Sequence, residues 1–274
     1  MPLALSRACG FNGRLSQPTL ASPVESVDIL SVLFLVALLA GFVDAIAGGG
    51  GLLSIPALLW AGLSPVETLA TNKAQAVFGS GTAAANFIHK GQVDLRAAAF
   101  AAACTFFGSA AGALLVQRLD SAVLGQLIPL LLIGFALYFL FSPRVSELDS
   151  RQRLAAPLFA LTVGFWVGFY DGFFGPGAGT FFAMGYVALL GYNLRRATAH
   201  SKLLNLASNL AALLVFLPAG QIRWPVAAVM AVGQLLGAWL GSHLVLRHGA
   251  ALVRPVLVAS SLLISAKLLF DRWG

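Results

Sequence analysis

Apolar runs and short polar interruptions alternate along this chain at a spacing that predicts membrane-crossing helices. The first run, Asp28 to Ala47, covers 20 residues. At about 1.5 Å per residue that is enough to cross a hydrocarbon core roughly 30 Å thick. Gly48 to Gly51 interrupts it, and the next run, Leu52 to Trp60 with Pro56 inside, is too short to cross alone. It predicts a half-helix. Ser64, Pro65 and Glu67 then read as a helix start, with Ser64 as N-cap, Pro65 in first position and Glu67 three residues after the cap. This helix is predicted to reach about His89 and is unusually polar, with Thr71, Asn72, Lys73, Gln75, Ser80, Thr82 and Asn86. A turn at Lys90 to Asp94 ends it. Spans Leu95 to Val116 and Ser121 to Phe141 follow, and Ser142 to Arg153 reads as a charged central linker.

The pattern then begins again. A shift of 127 positions carries Gly41, Phe42, Asp44, Gly48 and Gly50 onto Gly168, Phe169, Asp171, Gly175 and Gly177. After a two-residue insertion, a shift of 129 carries Lys73 onto Lys202, Gly91-Gln92 onto Gly220-Gln221, and Arg118 onto Arg247. The same shift carries Gly108 and Gly112, a small-xxx-small seam for close helix packing, onto Gly237 and Gly241. Matches so ordered predict an internal duplication. The expected architecture is an all-α polytopic membrane protein with two internal repeats, about eight spanning helices and two short glycine-broken half-helices. It divides into a polar tail over residues 1–27, a first membrane repeat over 28–141, the linker at 142–153 and a second repeat over 154–270. Duplicated halves are typical of secondary transporters, whose sites lie near mid-membrane where broken helices meet. If the short runs cross, the second half is inverted, and the distribution of Lys and Arg between the two sides tilts that way.

Composition narrows the function classes. Hydrophobic residues make up 59% of the chain and charged ones 10%, and the mean hydropathy is +0.87. A β-barrel would instead show short alternating segments. The net charge of +7 comes from Lys and Arg between apolar runs, where they orient helices, so it is no nucleic-acid signal. Two cysteines, Cys9 and Cys104, imply neither a disulfide framework nor a metal site. Residues 1–27 hold no apolar run long enough for a cleaved signal peptide, so the first span is expected to act as an uncleaved membrane signal.

The candidate chemistry lies at the glycine breaks. Carboxylates and irregular backbone at membrane depth are tolerated only where protein buries them or a watery cavity reaches them. Asp44 and Asp171 are therefore candidates to carry a proton, or to hold the breaks by capping N–H groups or pairing with a lysine. Both roles can coexist. Lys73 and Lys202 need anionic partners. A substrate anion is one, and an Asp44–Lys73 or Asp171–Lys202 pair within each half is another. Lys202, Asn205 and Asn209 share a helix face, matched in the first half by Lys73 and Ser80. Gly48, Gly50, Gly175 and Gly177 would place backbone N–H groups and helix N-termini where an anion can bind. His89, His200, His243 and His248 share no metal-ligand spacing, and no metal or cofactor is expected. His200, two residues before Lys202, is a candidate pore-lining group. Arg195-Arg196 sets topology or draws anions to a mouth.

The two G-F-x-D breaks followed by glycines, the Thr71-Asn72-Lys73 and His200-Ser201-Lys202 segments, and the Gly91-Gln92-Val93-Asp94 and Gly220-Gln221-Ile222-Arg223 turns resemble the sulfite exporter TauE/SafE family. The resemblance extends from about Leu30 to Leu269. It implies a bacterial inner-membrane permease of seven or eight spans, whose relatives are associated with sulfite, sulfoacetate and related small organic anions. The motif positions that it carries over are Asp44, Gly48, Gly50, Asn72 and Lys73, and Asp171, Gly175, Gly177, Ser201 and Lys202. Thr71-Asn72 stands where the second half has His200-Ser201, so the halves need not bind alike.

The expected function is thus secondary transport rather than enzymology. The expected partners are a small anion, the lipid bilayer and a second copy docked through small-residue helix seams, with no nucleic acid. The alternative is an intramembrane aspartyl protease using Asp44 and Asp171 as a dyad that shares protons. Gly41-Phe-Val-Asp44 departs from the G-x-G-D signature such an enzyme would need, and nearby lysines would keep both carboxylates ionised. A non-transporting scaffold would leave the two polar breaks unexplained.

Overall fold

The structure is a computed structural model, described here over residues 23–141 and 151–248. All its regular elements are helical among the described residues. In chain order they are α1 (Val27–Ala47), α2 (Gly51–Trp60), α3 (Pro65–His89), α4 (Leu95–Val116), α5 (Ser121–Phe141) and α6 (Ala156–Phe159). After a π-helical turn at Ala160–Gly164 come α7 (Phe165–Phe173), α8 (Ala178–Leu190), α9 (Leu194–Phe216) and α10 (Trp224–His248).

Local chemistry explains most of the boundaries. Ser64 and Glu67 form the predicted capping box at the start of α3, with Pro65 just inside. Asp94 caps α4 by accepting from the Ala97 N–H at 3.1 Å, and Asn193 caps α9 by accepting from the Arg196 N–H at 2.9 Å. These side chains satisfy donors that have no partner inside the helix. Gly48 ends α1 with φ of 79°, a left-handed conformation that costs little only without a Cβ.

The predicted tail, linker and second-repeat boundaries fall partly outside the described residues. Among the described residues, five helical stretches are long and apolar enough to cross a membrane: Val27–Ala47, Leu95–Val116, Ala156–Phe173, Leu194–Ala219 and Trp224–Leu246. Helix α3 is 25 residues long, but its buried polar residues lower its hydropathy. The span expected beyond residue 248 lies outside the described residues.

Packing depends on glycine. Helix α1 lies on α10, and α4 on α7. A Cβ on Gly237 would overlap the Leu38 carbonyl, and one on Gly241 the Phe42 carbonyl; Gly108 and Gly112 stand in the same relation to Phe165 and Phe169. These four glycines therefore pack within the chain. Helices α3 and α9 pack on each other, α3 also on α10 and α9 on α4.

Polarity is arranged for a lipid surround. Leu35, Leu39, Phe107, Trp166, Leu214 and Trp239 are exposed, whereas Asn72, Lys73, Gln75, Asp171, Lys202, Asn205, Asn209 and Gln234 are buried. Exposed large apolar groups over a polar interior suit a multi-pass membrane protein. A soluble domain would bury the first set and solvate the second.

Candidate functional site

The two glycine breaks meet in space. A Cβ on Gly48 would overlap the backbone of Gly179 and Thr180, and one on Gly179 would sit 2.6 Å from the Gly48 Cα. The Thr180 hydroxyl donates to the Ala47 carbonyl across this contact. The Tyr170 hydroxyl braces the second break by donating to the Pro176 carbonyl at 2.5 Å.

Two buried ion pairs flank the meeting point, and both run between the halves. Lys73 Nζ on α3 lies 2.6 Å from Asp171 Oδ1 on α7, and it also donates to Asn209 Oδ1 at 3.1 Å. Lys202 Nζ on α9 lies 3.5 Å from Asp44 Oδ2 on α1 and donates to the Asp44 backbone carbonyl. The within-half pairs Asp44–Lys73 and Asp171–Lys202 expected from the sequence do not form. Each aspartate pairs across although its helix also packs on the polar helix of its own half, α1 on α3 and α7 on α9.

Asn205 Nδ2 donates to Asp44 Oδ2 at 3.2 Å, and the Gly50 N–H at the start of α2 donates to Asp44 Oδ1 at 3.2 Å. Asn209 Nδ2 reaches Ser80 Oγ at 3.3 Å and Asn205 Oδ1 at 3.4 Å, which joins the two pairs into one network. Asn72 Oδ1 accepts from Ser54 Oγ at 2.6 Å and from Gln75 Nε2 at 2.8 Å, so Asn72 Nδ2 remains as a donor.

Among these groups lies a small polar cavity lined by Asp44, Gly48, Gly50, Asn72, Lys73, Asp171, Gly175, Asn205 and Asn209, together with Gly51, Ser54, Ala76 and Gln234. The first nine were expected from the sequence. Three other expected residues do not line it. Lys202 spends its ammonium on Asp44 and is 0% exposed. The Ser201 hydroxyl donates to the Thr198 carbonyl at 2.8 Å. Gly177, with φ of 81°, starts α8 away from the cavity. Gln234 and Ser54 were missed. A lone Gln in the apolar run of α10 was the available signal for the former.

His200 does not line the cavity either. Its Nε2 accepts from the Asp94 N–H at 3.3 Å, and its ring packs against Tyr186 and Tyr192. The Ala97 N–H holds the exposed Asp94 carboxyl below its ordinary value. Arg196 stacks 3.9 Å above the Tyr192 ring, and Arg195 donates to the Leu246 carbonyl, so both arginines have local roles. No group of three or more His, Cys, Asp or Glu able to hold a metal occurs among the described residues. The aspartyl protease reading is not supported. Each carboxylate holds its own ammonium, an arrangement that suits a proton-sharing dyad poorly.

Comparison with known proteins agrees with the resemblance. The family model described as sulfite exporter TauE/SafE matches residues 33–268. The chain is 53% identical over 246 residues to "Probable membrane transporter protein YfcA" of Escherichia coli (strain K12), covering 90% of this chain and 91% of the relative. It is 46% identical over 246 residues to a "Probable membrane transporter protein" of Haemophilus influenzae, covering 90% and 96%. It is 44% identical over 243 residues to "Probable membrane transporter protein ORF9" of a Sinorhizobium species, covering 89% and 93%. No solved structure matches it. With most of its length matched by the model and by relatives close to its own size, this chain belongs to the sulfite exporter TauE/SafE family of membrane transporters.

Proposed function

We propose that this protein is a secondary transporter of a small anion, sulfite or an organosulfonate foremost, in the bacterial inner membrane. The anion site is the cavity at the glycine breaks, and Asp171 or Asp44 carries a proton that accompanies transport. The observation that carries this reading is the crossed pair of buried ion pairs around one polar cavity.

The four ionised groups Asp44, Asp171, Lys73 and Lys202 balance. An additional buried anion would leave the site with an uncompensated charge, which low-polarity surroundings penalise heavily. A proton on Asp171 removes that obstacle. It frees Lys73, already at the cavity wall beside the Asn209 amide, to pair with the incoming anion. Proton and anion therefore occupy the site together, and the loaded site is as neutral as the empty one for a monoanion.

The two-repeat architecture is part of this proposal. The shift of 127 positions that carries Asp44 onto Asp171 also carries Leu38 and Phe42 onto Phe165 and Phe169. The seam glycines that meet these pairs, Gly237 and Gly241 against Gly108 and Gly112, are themselves related by the shift of 129. The halves thus interlock reciprocally, with the site at their junction, as in carriers built from repeats.

The test is flux in proteoliposomes across a panel of sulfite, sulfate, thiosulfate, sulfoacetate and taurine. Saturable movement of sulfite or a sulfonate that collapses on adding a protonophore is the expected result. Saturable flux indifferent to the protonophore removes the proton, and no flux for any anion removes the transport assignment.

A further inference from the structure

Gln234 lines the cavity with a polar group that no hydrogen bond within the described residues uses, and Asp171 Oδ2 there also has no partner among them. Gln234 is 3% exposed and lines the cavity beside Asn72, Lys73 and Asp171. No hydrogen bond to its side-chain amide occurs among the described residues, although the neighbouring Asn72, Asn205 and Asn209 amides are all engaged. An amide with no protein partner beside a polar cavity is one that a ligand or water can satisfy.

Two glycines make room for this amide. A Cβ on Gly79 of α3 would collide with Gln234 Oε1, and one on Gly41 of α1 would come within 2.9 Å of the same atom. Oε1 is lodged against glycine Cα groups, which offer only weak C–H contacts. The amide thus lies between α1 and α3 at the edge of the cavity that Gln234 lines.

The other half lacks an equivalent. The shift of 129 positions carries Thr105 onto Gln234. Thr105 Oγ1 donates to the Gly164 carbonyl at 3.0 Å and does not line the cavity. The polar group at the cavity therefore comes from α10, and the equivalent position on α4 supplies none.

We infer that Gln234 is a substrate-contact residue, donating through Nε2 to an oxygen of the anion that Lys73 neutralises. The inference rests on the anion-transport reading above. It deepens that reading by giving the anion a second, neutral donor beside the ammonium, which oxygens of a sulfite or sulfonate group can meet.

The test uses the full chain in proteoliposomes with sulfite as the probe, reading KM and Vmax separately. Gln234→Leu, close in volume but without an amide, raises KM for sulfite about tenfold or more, the range for losing a hydrogen bond to a charged group. Vmax stays within about twofold. Gly79→Ala keeps every polar group but displaces the amide, and is expected to raise KM similarly in folded protein. Once Gln234 is Ala, adding Gly79→Ala causes no further rise. An unchanged sulfite KM in either single variant, or an effect on Vmax alone, overturns the contact. Where Gln234→Leu does not fold, the Gly79→Ala series decides. Wild-type protein that moves no anion overturns the transport reading and this inference with it. Wild-type flux with indifferent variants overturns this inference alone.

Discussion

Lys73 Nζ lies 2.6 Å from Asp171 Oδ1, although Lys202, not Lys73, belongs to the same half as Asp171. The pair is buried, and removing one partner of such a pair leaves an ion without compensation. Asp171→Ala should therefore lower stability by about 3–5 kcal/mol. Asp171→Ala combined with Lys73→Ala should lower it by much less than the sum of the two single changes, because neither ion is then left behind. Thermal unfolding of purified protein in one detergent measures all three variants. Additive losses would show that the two groups are energetically independent.

Lys73→Ala and Lys202→Ala should each abolish anion flux while folded protein remains in the membrane, for different reasons. Lys73 loses the cationic wall of the cavity. Lys202 loses the group that fixes both the Asp44 backbone carbonyl and its carboxylate. Flux assays normalised to surface-accessible folded protein check both. Normal transport in both variants would remove the lysines from the anion site.

The glycine contact gives a purely steric prediction. Gly48→Ala places a methyl group on the Gly179 backbone at φ of +79°, whereas Gly91, at φ of +66°, has nothing within 4 Å of an added Cβ. Gly91→Ala should lower stability by only about 1–2 kcal/mol, the left-handed strain alone. Gly48→Ala should lower it by considerably more and reduce folded yield. Parallel melting curves distinguish the positions, and equal losses would mean that the breaks do not touch.

The ends of the elements were legible because local chemistry sets them. Ser64, Pro65 and Glu67 announced α3, and the glycine runs announced the ends of α1 and α7. The cavity residues Asp44, Lys73, Asn72 and Asn209 could be found because charged and amide groups stand out in apolar runs. The partner of each aspartate could not. A repeat offset relates equivalent positions but says nothing about which half's lysine will face a given carboxylate. That choice is made in tertiary packing, where α1 and α7 lie against helices of both halves. Gln234 escaped notice because its counterpart is Thr105, so the repeat did not mark it.

An exposed ion pair supplies a contrast with the buried ones. Arg223 Nε donates to Glu67 Oε1 at 2.8 Å, and the Arg223 N–H also donates to Thr71 Oγ1 at 3.1 Å, joining the start of α3 to the approach to α10. The Arg223 side chain is half exposed, so its pairing is screened by solvent and salt. Arg223→Ala should lower stability by no more than about 1 kcal/mol, and less at high salt, while leaving the KM for the anion unchanged. A larger, salt-insensitive loss would indicate that the backbone bond to Thr71 depends on this side chain.

The last prediction concerns the proton. If Asp171 must be protonated before an anion can pair with Lys73, flux of a monoanion whose own charge does not titrate should rise as pH falls. The protonated fraction of the carboxyl rises in that direction, and each protonation event frees one ammonium. Asp171→Asn imitates the protonated state permanently. It keeps the side chain's size and an accepting oxygen but removes the charge opposite Lys73, which Asn209 also holds. This variant should bind the anion at all pH values and exchange it across the membrane. An imposed pH gradient should no longer drive accumulation, because no proton accompanies the cycle. Asp44→Asn offers the internal comparison. Asp44 is held by Lys202, Asn205 and the Gly50 N–H, so its loss disturbs the break as well as the charge. Gradient-driven accumulation that survives Asp171→Asn but disappears in Asp44→Asn would assign the proton to the first break. Accumulation that survives both would show that neither carboxylate carries it.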